Sequence, residues 1–264
     1  MKPYGFTLIA GLGLILLAAS GARPQGAPAG EAGVTEVLGN QAALDAPLKD
    51  EDGNDVTLRR LIDKPTILTL NYFRCAGICT PMLNGLADSL NAIAIAPGSD
   101  FQVITVSFDP RDTPEIARQK RINYLGQMKR PFPPQAWRFL TGPAESTKQI
   151  ADSVGFHFRA DGDQFIHPGA VMVLSPKGEV TRYMYGISFL PADVEIAVRD
   201  AAAGVSSPSI ARVLAFCYSY DPVGRRHVFD ITRAAGAAIL VLAGIFGGYL
   251  FIQGRLRKKS RSQE

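Results

Sequence analysis

Thr66-Ile-Leu-Thr-Leu-Asn-Tyr-Phe-Arg-Cys-Ala-Gly-Ile-Cys-Thr-Pro-Met-Leu83 is the stretch on which the fold turns. Its first eight residues are almost wholly apolar and rich in β-formers, as in a strand covered on both faces. Leu83, Leu86, Leu90 and Ile93 then recur at three- and four-residue spacing, one face of a helix. Between strand and helix lie Cys75 and Cys79, so the second cysteine falls at or near a helix N-terminus.

The same alternation extends in both directions. Phe101 to Phe108 reads as a second buried strand. Asp109-Pro-Arg-Asp-Thr-Pro-Glu115 reads as a helix start, with Asp112 or Thr113 as cap, and the helix runs to about Met128. Trp137 to Leu140 is a short strand and Ser146 to Val154 a helix. Gly169 to Leu174 and Val180 to Tyr185 pair across the turn Ser175-Pro-Lys-Gly178, and Ala192 to Ala203 is a last amphipathic helix. Ahead of the opening strand, Leu48 to Leu58 reads as a hairpin turning at Asp52-Gly53. Strands alternating with helices and closed by a late hairpin give an α/β fold, a mixed sheet flanked by helices. A buried strand passing through a cysteine pair into a helix makes it thioredoxin-like.

The free N–H groups and dipole of a helix N-terminus favour a thiolate, the form that binds metal and attacks disulfides. Thiol oxidoreductases of this fold use two residues between the cysteines, whereas here there are three. The wider loop suits two sulfurs gripping one ion, and soft thiolates select Cu(I) or zinc. A local disulfide, or two inert buried thiols, is the alternative. A third donor must come from elsewhere, and the chain has three histidines: His157, His167 and His227. His167 precedes a buried strand and so lies at a sheet end, within reach of the cysteine loop; otherwise it is an ordinary turn histidine. His157 alternates with Phe156 and Phe158 along a short strand, and His227 sits among Arg225, Arg226 and Asp230, so both read as structural or surface residues. Met172, Met184 and Tyr183 alternate along strands and read as sheet-face residues.

The remaining segments concern location. Residues 1–22 carry Lys2, a short apolar run and small residues at the exit, the pattern of a signal peptide. Residues 23–45 form a leader rich in Gly, Ala and Pro, and residues 46–204 the globular domain. A juxtamembrane stretch, 205–233, leads to 234–254, which holds no charge and is long enough to span a bilayer as a C-terminal transmembrane helix. Residues 255–264 form a basic tail whose Arg255–Arg261 portion carries five positive charges, which places it in the cytoplasm and the domain outside, in the periplasm of a cell with an inner membrane. That tail accounts for the formal net charge of +4, so nothing in the charge pattern speaks for nucleic acid. Three cysteines make no disulfide scaffold, and Cys217 reads as a packed small hydrophobe.

Four blocks in order resemble the Sco/SenC family: Thr66 to Leu83, Val106-Ser-Phe-Asp-Pro-Arg-Asp-Thr-Pro-Glu115, Phe139-Leu-Thr-Gly142, and a late histidine before a strand. The resemblance covers roughly Leu48 to Val198. Three departures are visible: Thr80 separates Cys79 from Pro81, His167 lies between Ile166 and Pro168 rather than in an Asp-His-Ser-like setting, and the anchor is C-terminal. The resemblance implies a copper ion held by Cys75, Cys79 and His167, with the cysteines also a redox-active pair. Asp109 matches the aspartate of the family's Asp-Pro step, a residue behind the ligands or one that orders the loop. It further implies a copper carrier rather than an enzyme, with the copper-bearing subunit of cytochrome c oxidase as partner. The alternative is an extracytoplasmic thiol–disulfide reductase acting on that or another client. A peroxiredoxin-like peroxidase is disfavoured, because no Pro-x-x-x-Thr-x-x-Cys run enters the helix.

Overall fold

Alternate residues of the central strands feed two apolar layers, one on each side of a single sheet. The computed structural model describes residues 32–75, 77–209, 218–221 and 226–229, together with Leu242, Phe246, Gly247 and Tyr249. In chain order the strands are β1 (Gly33–Val34), β2 (Leu48–Lys49), β3 (Asp55–Val56), β4 (Thr66–Asn71), β5 (Gln102–Ser107), β6 (Trp137–Leu140), β7 (Phe156–His157), β8 (Arg159–Asp161), β9 (Gln164–Ile166), β10 (Ala170–Leu174), β11 (Val180–Tyr185), β12 (Tyr218–Asp221) and β13 (Arg226–Phe229). The helices are α1 (Leu58–Leu61), α2 (Cys79–Ala92), α3 (Pro114–Leu125), α4 (Ala144–Ser153) and α5 (Pro191–Ala202).

The main sheet has the order β11-β10-β4-β5-β6. β4, β5 and β6 run parallel, while β10 is antiparallel to both β4 and β11. This is the mixed sheet expected from the sequence. On one face, Ile67, Val103, Trp137, Phe139, Val171 and Val173 pack under the apolar stripe of α2 and under Val194 and Val198 of α5. Leu83, Leu86, Leu90 and Ile93 are all buried in this layer, so the helical spacing reads correctly. On the other face, Leu68, Leu70, Ile104, Leu140 and Met172 meet Leu44, Leu48, Leu58, Ile150 and Phe156. Cover on both sides explains why β4, β5 and β10 are buried along their whole length.

Two turns hold as expected. Leu48 pairs with Val56 around Gly53, whose φ of 83° is open to glycine without a Cβ penalty. Gly178, at φ 82°, closes the β10–β11 connection through its N–H to the Ser175 carbonyl. Other elements shift slightly: α3 ends at Leu125 rather than Met128, and α4 begins at Ala144. Of the two capping expectations, Thr113 does hold the N-cap position of α3, but its side chain makes no cap hydrogen bond. Pro114 instead opens the helix with a φ already suited to it.

Among the described residues no helix is long and apolar enough to cross a membrane. The span expected at 234–254 lies outside them except for Leu242, Phe246, Gly247 and Tyr249, which are helical and exposed. The signal segment 1–22, the basic tail 255–264 and Cys217 also lie outside the described residues.

Candidate metal centre

At the C-terminal end of β4 the chain leaves the sheet at Tyr72 and re-enters regular structure at Cys79, the first residue of α2. Cys75 sits in the connecting loop, its N–H bonded to the Tyr72 carbonyl at 3.3 Å. Both cysteines are free thiols, Cys75 half-buried and Cys79 buried. His167 comes from the loop between β9 and β10, 88 residues away, and its Nε2 lies 3.1 Å from the Cys79 sulfur. One donor atom from each of Cys75, Cys79 and His167 lies within 4.8 Å of the others, a group able to hold a metal ion.

The histidine is already in the form a metal needs. Its Nδ1 lies 3.0 Å from the Pro168 carbonyl, which can only accept, so Nδ1 carries the proton and Nε2 presents a lone pair to the sulfurs. Burial holds the imidazole below its ordinary pKa, outweighing the opposite pull of that carbonyl, so the ring is neutral at neutral pH.

The two thiols are pushed apart. Burial, and then the hydrogen bond it shares with Cys75, raises Cys79 far above the usual thiol range. Burial also acts to raise Cys75, but hydrogen bonds from the Cys79 side chain, the N–H groups of Cys79 and Gly77, and Tyr72 together bring it below the usual value. The Gly77 N–H lies 3.4 Å from the Cys75 sulfur. The sequence pattern assigned the favoured thiolate to Cys79; the structure gives it to Cys75. The free N–H groups at the start of α2 point back toward the loop, whereas Cys79 itself faces the core.

Aromatic rings surround the imidazole. Phe108, Tyr72 and Phe156 lie 5.5, 5.9 and 6.2 Å from His167 between ring centres. Phe158 stacks on Phe108 at 4.1 Å. These rings pack around the imidazole in a setting of low dielectric, which strengthens the contacts of charged ligands with a cation.

Asp109 orders a loop rather than touching the three donors. Its buried carboxylate pairs with the Arg111 guanidinium at 2.8 Å and accepts the Arg111 N–H at 2.9 Å. Arg111 in turn donates to the Asp163 carbonyl and lies over the Phe165 ring, 5.8 Å from its centre. The pair thus ties the β5–α3 loop to the β8–β9 hairpin that delivers His167.

Asp112 is the residue that sequence reasoning placed wrongly. Its buried Oδ2 accepts the Phe73 N–H and the Ser107 hydroxyl, each at 2.7 Å, and Arg74 lies 3.3 Å from Oδ1. It therefore clamps the residues leading into Cys75 instead of capping α3. The signal was present in the Asp109–Glu115 motif, but a short polar residue ahead of a helix reads first as a cap.

The other candidates stay apart from the centre. His157 is half-exposed, with Nδ1 3.8 Å from Asp152. His227 lies in β13, paired with Tyr220. Met172, Tyr183 and Met184 are buried sheet residues.

Comparison with known proteins agrees with this geometry. The SCO1/SenC family model matches residues 41–199, more than half of the chain. SCO1 protein homolog of Bacillus subtilis is 28% identical over 152 residues, covering 55% of this chain and 74% of that protein. Protein SCO1 homolog 1, mitochondrial, of Arabidopsis thaliana is 30% identical over 154 residues, covering 55% of this chain but 43% of that longer protein. A crystal structure of an Aquifex aeolicus VF5 protein assigned to electron transfer superimposes with a TM-score of 0.57 at 31% identity, covering 63% of this chain and 95% of that one. Fold, site geometry and sequence match converge, and the chain belongs to the SCO1/SenC family.

Proposed function

We propose that the protein binds one copper ion through Cys75, Cys79 and His167 and hands it on during assembly of the binuclear copper site of cytochrome c oxidase. The observation that carries this reading is the convergence of two sulfurs and a lone-pair nitrogen within 4.8 Å. Thiolate and neutral imidazole together suit Cu(I), and hard cations would be poorly served. Membership of the family supports copper as the cargo and the copper-bearing oxidase subunit as the partner.

Location belongs to the same proposal. A cleaved or retained apolar segment at 1–22, a charge-free stretch at 234–254 and a basic tail hold the domain on the outer face of the inner membrane. An oxidising compartment then drives Cys75 and Cys79 toward a disulfide, so copper binds when the pair is reduced.

One observation favours a second reading. A lowered Cys75 beside a raised Cys79 is the asymmetry of an attacking and a resolving thiol, as a thiol–disulfide reductase needs. The experiment that separates the two is complementation of a deletion strain by His167→Ala, which keeps both thiols. Failure at low copper with recovery at raised copper supports the carrier. Full oxidase activity at low copper supports the reductase.

A further inference from the structure

His167 sits between a fixed stretch of chain and an exposed one. Just after it, the Gly169 carbonyl accepts the Gly186 N–H at 2.9 Å, which locks that side of the loop to the sheet. Before it comes the β8–β9 hairpin, in which all of β8 is exposed and Phe165 is the one half-buried residue of β9. A two-stranded hairpin with so little core of its own does not hold a position by burial. The bond from His167 Nδ1 runs to its own neighbour Pro168, which sets the ring's tautomer but not where the loop carries the ring. Arg111 supplies the missing anchor. Its Nε and Nη2 grip the two oxygens of the buried Asp109 carboxylate, each at 2.8 Å. Nη2 also donates to the Asp163 carbonyl at 2.8 Å, and the guanidinium lies over the Phe165 ring. One rigid fork thus joins a buried carboxylate to the backbone of the β8–β9 turn. Tyr72 adds a second tie, its hydroxyl donating to Gln164 Oε1 at 2.8 Å, but that bond ends on a flexible side chain rather than on backbone.

We infer that Arg111 is a positioning residue for copper binding: by fixing the β8–β9 turn to Asp109, it holds the exposed side of the loop so that His167 stays against the cysteine pair. The inference rests on the copper reading above. A loop pinned at one end sweeps a range of positions, and the time its imidazole spends away from the sulfurs subtracts from affinity. Pinning the other end removes that loss. Arg111 acts through His167, so its contribution to affinity disappears where position 167 carries no imidazole. A general role in stability would persist there.

The test uses the full chain in detergent and compares Asp109→Asn with Asp109→Asn/Arg111→Met. The double variant keeps an unbranched stem at 111 and leaves no bare carboxylate buried, which would itself be strongly destabilising. Without copper, the amides of residues 159–166 are expected to exchange hydrogen about five-fold faster in the double variant, the factor that one hydrogen bond is worth, with β4 and β5 unchanged. With copper, the double variant is expected to bind Cu(I) about ten-fold more weakly in competition titration, as for loss of a residue behind a ligand. Adding His167→Ala to both proteins is expected to remove that difference. Equal exchange in 159–166, equal Cu(I) affinity, a difference that persists alongside His167→Ala, or a double variant that no longer folds while Asp109→Asn does, overturns the inference. If the unsubstituted protein takes up no copper, the copper reading itself is overturned, while exchange of the hairpin amides still reports on Arg111, and the two failures are thereby told apart.

Discussion

The Cys79 sulfur lies 3.1 Å from Nε2 of His167, a contact made across 88 residues of chain. The fold brings them together: Cys79 opens a helix behind β4, and His167 ends the hairpin that feeds β10, the strand beside β4. The fold itself holds the donor set together, and donors fixed by a scaffold reduce the ordering cost of binding.

His167→Ala should lower Cu(I) affinity by at least about ten-fold, since even loss of a partner behind a ligand costs that much. The far-ultraviolet circular dichroism should not change, because the ring is only half-buried and bonds to its own neighbour Pro168. Competition titration against a chelator of known affinity checks this, and unchanged affinity would remove His167 from the site.

Asp112→Ala should destabilise the domain by about 1–3 kcal/mol, because it leaves the buried Phe73 N–H without a partner. Copper affinity should fall with it, since Phe73 leads directly into the cysteine loop. Urea unfolding of the reduced protein gives the first number, and a loss no larger than that of an exposed aspartate would refute the clamp.

Gly85→Ala should also destabilise, by about 1–3 kcal/mol. A Cβ there would stand 2.0 Å from the Ile187 carbonyl oxygen, a backbone atom that cannot rotate aside. Gly77→Ala is the control, because its Cβ would meet only the Cys75 sulfur at 3.9 Å. A melting temperature lowered equally by both would contradict the close approach of α2 to the 186–190 segment.

The Asp109–Arg111 pair predicts an acid limb in stability. Burial acts to raise Asp109, but hydrogen bonds and charge from Arg111 outweigh it and hold the carboxyl below the ordinary 3.8. A lowered folded pKa means that stability is present above 3.8 and is lost as pH falls through the folded value. Asp109→Asn should therefore be less stable than the parent near neutrality and lose less below 3.8. Urea midpoints measured against pH check it, and parallel curves would contradict it.

Much of this was legible in the sequence where a period repeats or a turn residue is obligatory. The β4 run, the stripe Leu83, Leu86, Leu90 and Ile93, and Gly178 behind β11 follow from local rules. The hairpin β8–β9 was missed because Arg159 to Ile166 is largely exposed and shows no apolar alternation. Asp112 was misread because its partner, the Phe73 N–H, is 39 residues away, and long-range bonds leave no local pattern. The thiolate went to the wrong cysteine for a similar reason: proximity to a helix N-terminus is visible in sequence, but the direction in which each sulfur points is not.

Copper stoichiometry of the reduced protein, compared with that of a Cys75→Ala/Cys79→Ala double variant, tests the central claim most directly. The account predicts one Cu(I) per chain in the parent, with X-ray absorption showing two sulfurs and one nitrogen around it, and none held tightly by the variant. Equal copper content in both proteins would contradict it.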